Sequence, residues 1–395
     1  MKKFISIVLC LNFILLSANG LAFKGTARSN ISYSNNFSTT AQFIPQLSAD
    51  LVADTSRYIC DFELSANTFL SYNGKNEFNG DFLPYRAWAR FAGDQFEFRV
   101  GLQKITFGKA QLLRSLSWFD SIDPRDPLGL TQGVFAERFR YYIPNSNANI
   151  WLWAIQEKFI SRSFHLPFVS GNNGLIRQYG GRFELPVFQG EMGLSYNYKA
   201  VRSDFAITHE SLSVDDLHIN KHQIAFDGKW DNIIGAWLEL AYTQEGADFT
   251  FLSDKTYASI KIAQLTLGMD YTFGIGNGLL LTAEYLAGMI KSDSDFGAGA
   301  SSIPIHSNIA ALMLAYSLGI FDSIGFMNFL DLDKGDYYAY IFWQKQFDHL
   351  TFRLSGALTA FDADANLFLG EDSGVSLGNM IELIAIYDFK ADLFR

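Results

Sequence analysis

The 395 residues carry a formal charge of −10, a mean hydropathy of +0.06, and 37 Phe, 18 Tyr and 7 Trp. The acidic balance excludes a nucleic-acid surface. The near-zero hydropathy excludes an α-helical membrane protein, which needs repeated runs of about 20 apolar residues.

In chain order, the first feature is Lys2 and Lys3 followed by an apolar stretch from Phe4 to Leu16, then small residues at Ala18, Gly20 and Ala22. This reads as a secretory signal over 1–22. Its removal leaves Cys60 as the single cysteine of residues 23–395, so no internal disulfide is expected.

From there the chain alternates between apolar and polar residues in segment after segment. In Glu191–Lys199, Met192, Leu194, Tyr196 and Tyr198 share one face, and Glu191, Gly193, Ser195, Asn197 and Lys199 the other. About eighteen such segments follow one another: 25–36, 40–54, 57–73, 83–92, 95–108, 136–144, 148–158, 175–187, 190–203, 216–230, 233–247, 256–273, 277–290, 305–318, 320–332, 335–347, 348–362 and 374–390. The number falls to sixteen if the weaker patterns at 40–54 and 320–332 are not strands. Short connections alternate with longer ones at 109–135, 159–174, 204–215, 291–304 and 363–373. The fold expected is all-β: a closed antiparallel transmembrane β-barrel with short periplasmic turns and long outer loops. A charge on the lipid face of such a barrel costs up to about 2–4 kcal/mol at mid-membrane, so the charged face is the lumen. The last pattern ends near Phe389, leaving Lys390–Arg395 beyond the final strand.

The longest loop, 109–135, has apolar anchors at Leu112, Leu113, Trp118, Phe119, Leu128 and Leu130 that an exposed loop does not need. The segments beside it place Arg86, Arg90, Arg99, Arg138 and Arg140 on the lumen parity, with Lys104 joining them if the strand bulges after Gly101. Arg182 lies further along. Glu191, Glu239, Asp270, Glu284, Glu382 and Asp388 are expected on the opposite wall, which would set up a transverse field. The plainer alternative is that the arginines pair with lumen carboxylates, such as Arg99 with Glu97, and fill the interior.

Arg99-Val100-Gly101-Leu102-Gln103-Lys104-Ile105-Thr106-Phe107-Gly108-Lys109, followed by Asp123-Pro124-Arg125-Asp126-Pro127, resembles a pattern of porin-like barrels. Across residues 23–395 the architecture resembles the porin superfamily of Gram-negative outer-membrane channels, and more distantly eighteen-stranded carboxylate channels and the alginate exporter. The resemblance implies that 109–135 folds inward as a constriction, with Asp120, Asp123 and Asp126 on it. It implies a cell outer membrane location and passive diffusion of small hydrophilic solutes, and the row of arginines adds an expected preference for anionic ones. Its partners would be outer-membrane lipid and lipopolysaccharide, with self-association into a homo-oligomer left open. Export of an acidic polysaccharide and a plugged structural or adhesive barrel are the alternatives. No catalytic residue, cofactor or metal site is assigned. In Thr208-His209-Glu210-Ser211 no Asn-Gly follows the serine as in outer-membrane phospholipases, and His306 and Ser307 fall on opposite faces.

Overall fold

The computed structural model describes residues 20–34, 37–52, 58–72, 78–158, 175–203, 207–209, 212–251, 254–294, 304–360 and 378–394. Of the expected signal, 1–19 lie outside these residues.

The alternating segments form β1 (Gly20–Tyr33), β2 (Phe37–Val52), β3 (Ile59–Tyr72), β4 (Phe78–Ala92), β5 (Phe96–Gln103), β6 (Val134–Tyr142), β7 (Asn149–Lys158), β8 (Leu175–Val187), β9 (Gly190–Ser203), the three-residue β10 (Ile207–His209), β11 (Leu212–Asp231), β12 (Gly235–Phe251), β13 (Asp254–Phe273), β14 (Leu279–Ser294), β15 (Ile305–Ser317), β16 (Asp322–Asp331), β17 (Tyr337–Gln346), β18 (Leu350–Thr359) and β19 (Met380–Phe394). Every pairing is antiparallel, and β9 pairs directly with β11 while β10 pairs with β11 alone. β1 pairs with both β2 and β19, which closes the sheet into an eighteen-stranded barrel. Both weak segments, 40–54 and 320–332, are full strands, β2 and β16. No described helix is long and apolar enough to cross a membrane.

Period two sorts the side chains as expected. Leu152, Leu194, Leu240 and Leu358 project outward and are roughly half exposed, forming the lipid-facing belt. Ser195, Asn197, Glu239 and Thr266 point inward and are fully buried. Buried polar groups must find partners. Asn197 does so on both sides, donating to Gln178 (3.2 Å) and Gln223 (3.0 Å) while accepting from the Trp153 indole (3.0 Å). Even Thr68 and Phe69, which break the apolar pattern of β3, keep the parity: Phe69 pairs with inward Gln42 and Thr68 with outward Phe43.

Several boundaries differ from the sequence reading, and two of them change what the wall contains. β5 stops at Gln103, so the long loop spans 104–133 and leaves the wall earlier than expected. Gly101 adopts φ +117°, with its Cα so close to β4 that a Cβ would lie 2.2 Å from the Ala87 carbonyl. The β5–β6 register nevertheless runs unbroken from Phe96 to Gln103, so no bulge carries Lys104 into the strand. β19 runs through Lys390 to Phe394, because β1 begins at Gly20 and supplies a pairing partner that far. Lys390 to Phe394 therefore belong to the wall, and Arg395 lies outside the described residues.

Candidate pore constriction

The loop 104–133 lies inside the barrel, and two glutamates fix it there. Glu239 on β12 accepts the backbone N–H groups of Lys109 (2.5 Å), Ala110 (2.7 Å), Ser115 (2.9 Å) and Leu116 (3.2 Å). Glu284 on β14 accepts those of Gln111 (2.6 Å), Leu112 (3.0 Å) and Leu113 (2.5 Å), and the Trp237 indole N–H (3.1 Å). Seven successive or near-successive amides thus converge on two carboxylates, a protein-made version of the anion-binding nest. Gly108, at φ +85°, enters this turn where a Cβ would stand 2.3 Å from a Glu239 carboxylate oxygen. Only glycine fits.

Apolar anchors supply the rest. Leu112 and Leu113 pack on Leu286, Ile309, Met327, Phe329 and Tyr340 of β14–β17, whereas Ile105, Phe107, Leu116 and Phe119 pack on Trp153, Ile155, Ala225 and Ala241 of β7, β11 and β12. Each large apolar side chain fully buried contributes about 1.5–3 kcal/mol. Leu112, Leu113 and Phe119 were expected as anchors; Trp118 sits at the edge of its cluster, half-buried.

The loop's aspartates are engaged in holding it. Asp120 pairs with Arg114, and its side chain is 1% exposed. It was expected at the constriction, but burial removes it from the lumen. Asp123 caps the N–H of Arg125 at 2.8 Å and pairs with its guanidinium at 2.9 Å. Asp126 accepts the N–H groups of Leu128 and Leu130 (both 3.1 Å) and pairs with Arg28 of β1 at 2.9 Å. This is the turn chemistry of short acidic residues. Arg125 also donates to Tyr338 of β17 (2.5 Å), and Arg353 of β18 donates to the Arg125 carbonyl (2.8 Å). Asp123 and Tyr338 beside it hold the Arg125 pKa above its ordinary value, although burial opposes them.

The arginines line up in register. Arg90, Arg99 and Arg138 are direct cross-strand partners on β4, β5 and β6, with Asp61 of β3 at the start of the row. Like charges so placed repel unless an anion intervenes. Glu97 is that anion: it pairs with Arg138, with Arg90 at 3.3 Å and with Arg99 at 3.4 Å, while Arg90 also grips Asp61 at 2.7 Å. Arg140 and Arg182 share Glu184 (3.4 and 2.8 Å), and Arg182 closes on fully buried Asp227 at 2.5 Å. Trp88 stacks under Arg99, and Trp151 under both Arg138 and Arg140.

Arg86 differs from the others. Its fork donates to the carbonyls of Tyr85 (2.6 Å) and Thr131 (2.9 Å), and among the described residues no carboxylate lies within salt-bridge distance. Arg86, Lys24 and Arg99 all act electrostatically on Glu63. Lys104 extends this cluster from the loop, exposed. Lost hydration there pushes its amine below the ordinary lysine pKa, with Asp120 opposing that shift. The cluster holds more cations than carboxylates.

Of the six residues expected on the acidic wall, five besides Asp270 have partners. Glu239 and Glu284 lie beneath the loop, Glu191 pairs with Lys109 (2.5 Å), Asp388 accepts from Thr26 (2.7 Å), and Glu382 accepts from Asn30 and Ser355. Sequence parity placed the two clasping glutamates on the lumen face but missed their role, since their partners are backbone amides more than a hundred residues away.

A closed antiparallel barrel with an apolar outer belt, a polar interior and a long loop folded into it has the fold of the outer-membrane porins. OccD3 (OpdP) of Pseudomonas aeruginosa superposes with a TM-score of 0.50 at 11% identity, over 95% of this chain and 92% of that one. OccAB1 of Acinetobacter baumannii gives 0.48 at 8% identity (95% and 99% covered), and an anion-selective porin from Comamonas acidovorans 0.42 at 13% identity (93% and 99%). No family model matches the chain, and no curated protein matches its sequence.

Proposed function

We propose that the protein is an outer-membrane channel through which small hydrophilic anions diffuse passively. It carries out no bond chemistry; its work is selection by size and charge. The observation that carries this reading is the cationic excess beside the inward loop: three register-aligned arginines share Glu97, and Arg86, Lys24 and Lys104 add further positive charge. At an effective dielectric of about 20, a pair at ~4 Å is worth roughly 4 kcal/mol, and water in the lumen reduces this. Several weak grips in series suit passage, because a solute must also leave. Arginine suits the task, since its fork grips carboxylate or phosphate and stays charged.

The pairing pattern assigns unequal roles. Arg90, Arg138 and Arg182 each have a carboxylate within salt-bridge distance, whereas Arg86, though buried, has two carbonyls and only the more distant Glu63, so less of its charge is cancelled. In planar bilayers under a salt gradient, Arg86→Gln should move the reversal potential toward cations more than Arg138→Gln does. The shift should shrink at high salt, where screening shortens the field. Unchanged selectivity in both variants at low salt would make the arginines interior packing.

A second reading, a plugged barrel, is favoured by how widely the loop is anchored, from Trp153 on β7 to Arg353 on β18. Ohmic single-channel currents separate the two readings; a reconstituted barrel without them is plugged.

A further inference from the structure

The outer wall carries a second ordered row, independent of the transport reading. Strand register places Tyr179, Tyr198, His222, Gln244, Lys261 and Lys291 side by side across β8, β9, β11, β12, β13 and β14. All six share the parity of lipid-facing Leu194, Leu240 and Leu267. The tyrosines and His222 make a continuous aromatic face, with ring centroids 5.2 Å apart for Tyr179 and Tyr198 and 4.9 Å for Tyr198 and His222. The row then turns cationic.

Strand tilt explains the change. A register row runs across the strands, so in a tilted barrel it climbs relative to the membrane plane. Lys261 and Lys291 stand far up β13 and β14 from the short turn 274–278, at a rise of about 30 Å for a ~3.3 Å step and ~40° tilt. The apolar belt of such barrels is only ~25 Å tall. The two lysines therefore emerge at the headgroup layer, just above the tyrosines, on the loop side of the barrel.

Their pairing is unusual within this molecule. Lys261 and Lys291 are direct cross-strand partners, an arrangement that destabilises a sheet unless an anion lies between. Inside the barrel the equivalent pair, Lys199 and Lys221, has buried Glu245 at 3.3 Å from Lys221, and the arginine row has Glu97. The outward pair has Asp293 at 3.7 Å from Lys261, and among the described residues no carboxylate within salt-bridge distance of Lys291. Both lysines remain open to the outside.

We propose that Lys261 and Lys291 hold the phosphate of an anionic lipid headgroup, whose acyl chains lie along the tyrosine and leucine wall beneath. The two ammonium groups supply the charge, and the apolar wall separates a lipid from a free anion.

The test uses the full chain in detergent micelles supplemented with phosphatidic acid or phosphatidylcholine, with bound lipid counted by native mass spectrometry. Wild type should retain phosphatidic acid preferentially. Lys261→Gln with Lys291→Gln should weaken that retention about thirtyfold, roughly fivefold for each lysine. Lys261→Arg with Lys291→Arg should restore it, and Asp293→Asn should strengthen it. Heat-modifiable gel migration checks that each variant is folded; if the Gln pair fails that check, the Arg pair and Asp293→Asn decide the matter. Equal retention by wild type and the folded Gln variant, or an unaltered Asp293→Asn, overturns the proposal. So does full displacement by millimolar inorganic phosphate, which would make this a free-anion site.

Discussion

Replacing Glu239 with Gln tests how the loop is held. Each Glu239 oxygen accepts two backbone N–H groups, so an amide nitrogen in place of one oxygen faces two donors with a third. Two buried N–H groups lose their acceptor at about 1–3 kcal/mol each, and the other two drop from charge-assisted to neutral bonds at about 1 kcal/mol each. The docked loop is thereby disfavoured by roughly 4–8 kcal/mol, offset by whatever water re-enters the turn. Even half of the lower figure shifts the docked-to-undocked ratio more than tenfold. The strands are untouched, so the barrel should still insert and show heat-modifiable migration. Trypsin should cut faster after Lys109 and Arg114, and single-channel records should show larger or noisier currents. Adding Glu284→Gln should deepen both effects. If the double variant matches wild type in protease resistance and conductance, the apolar anchors alone hold the loop and the clasp is redundant.

Gly108→Ala should reproduce the loop phenotype by another route, since its methyl would fall 2.3 Å from Glu239 at a positive φ; protease resistance reads this directly. Asp227→Asn should lower resistance to heat by about 3–5 kcal/mol, measured as a lower melting temperature of the folded form, because it leaves Arg182 charged and buried with Glu184 as its remaining carboxylate partner. Lys104 supplies a pH test: with its folded pKa depressed, its charge is lost at a lower pH than for an ordinary lysine, so anion preference should fall as pH rises through that depressed value. Over the window between the folded and unfolded pKa values the unfolded chain binds more protons, so stability should rise with pH there. Lys104→Gln should flatten both profiles.

The strands were legible because period two is imposed locally by a two-sided wall. Boundaries such as those of β8 and β9 fall where the pattern breaks, and β2 and β16 read as weak patterns because apolar residues also stand on their inward faces, Ile44 in β2 and Met327 and Phe329 in β16. The arginine parity was legible for the same reason. What each arginine does was not, because charge balance depends on register: Glu97 serves three arginines only because β4, β5 and β6 align. The early end of β5 is hidden because Ile105 and Phe107 still alternate with Lys104 and Thr106, but with the apolar residues now on the parity of Arg99 and Gln103, where they face the lumen-side apolar cluster rather than lipid. Asp120 read as a pore charge because its partner, Arg114, looks like an ordinary loop residue until the turn is folded.

Arg125 and Asp126 sit at the centre of the loop and reach across the junction between the two ends of the chain. Asp126 holds Arg28 on β1, and Arg125 holds Tyr338 and Arg353 on β17 and β18, with β19 lying between those strands. The seam where the first and last strands meet is therefore riveted from within by a segment that belongs to the middle of the sequence. Bringing strand ends together over most of the chain is entropically costly. The loop holds both margins of that seam, so its contacts add to the strand pairing that offsets this cost.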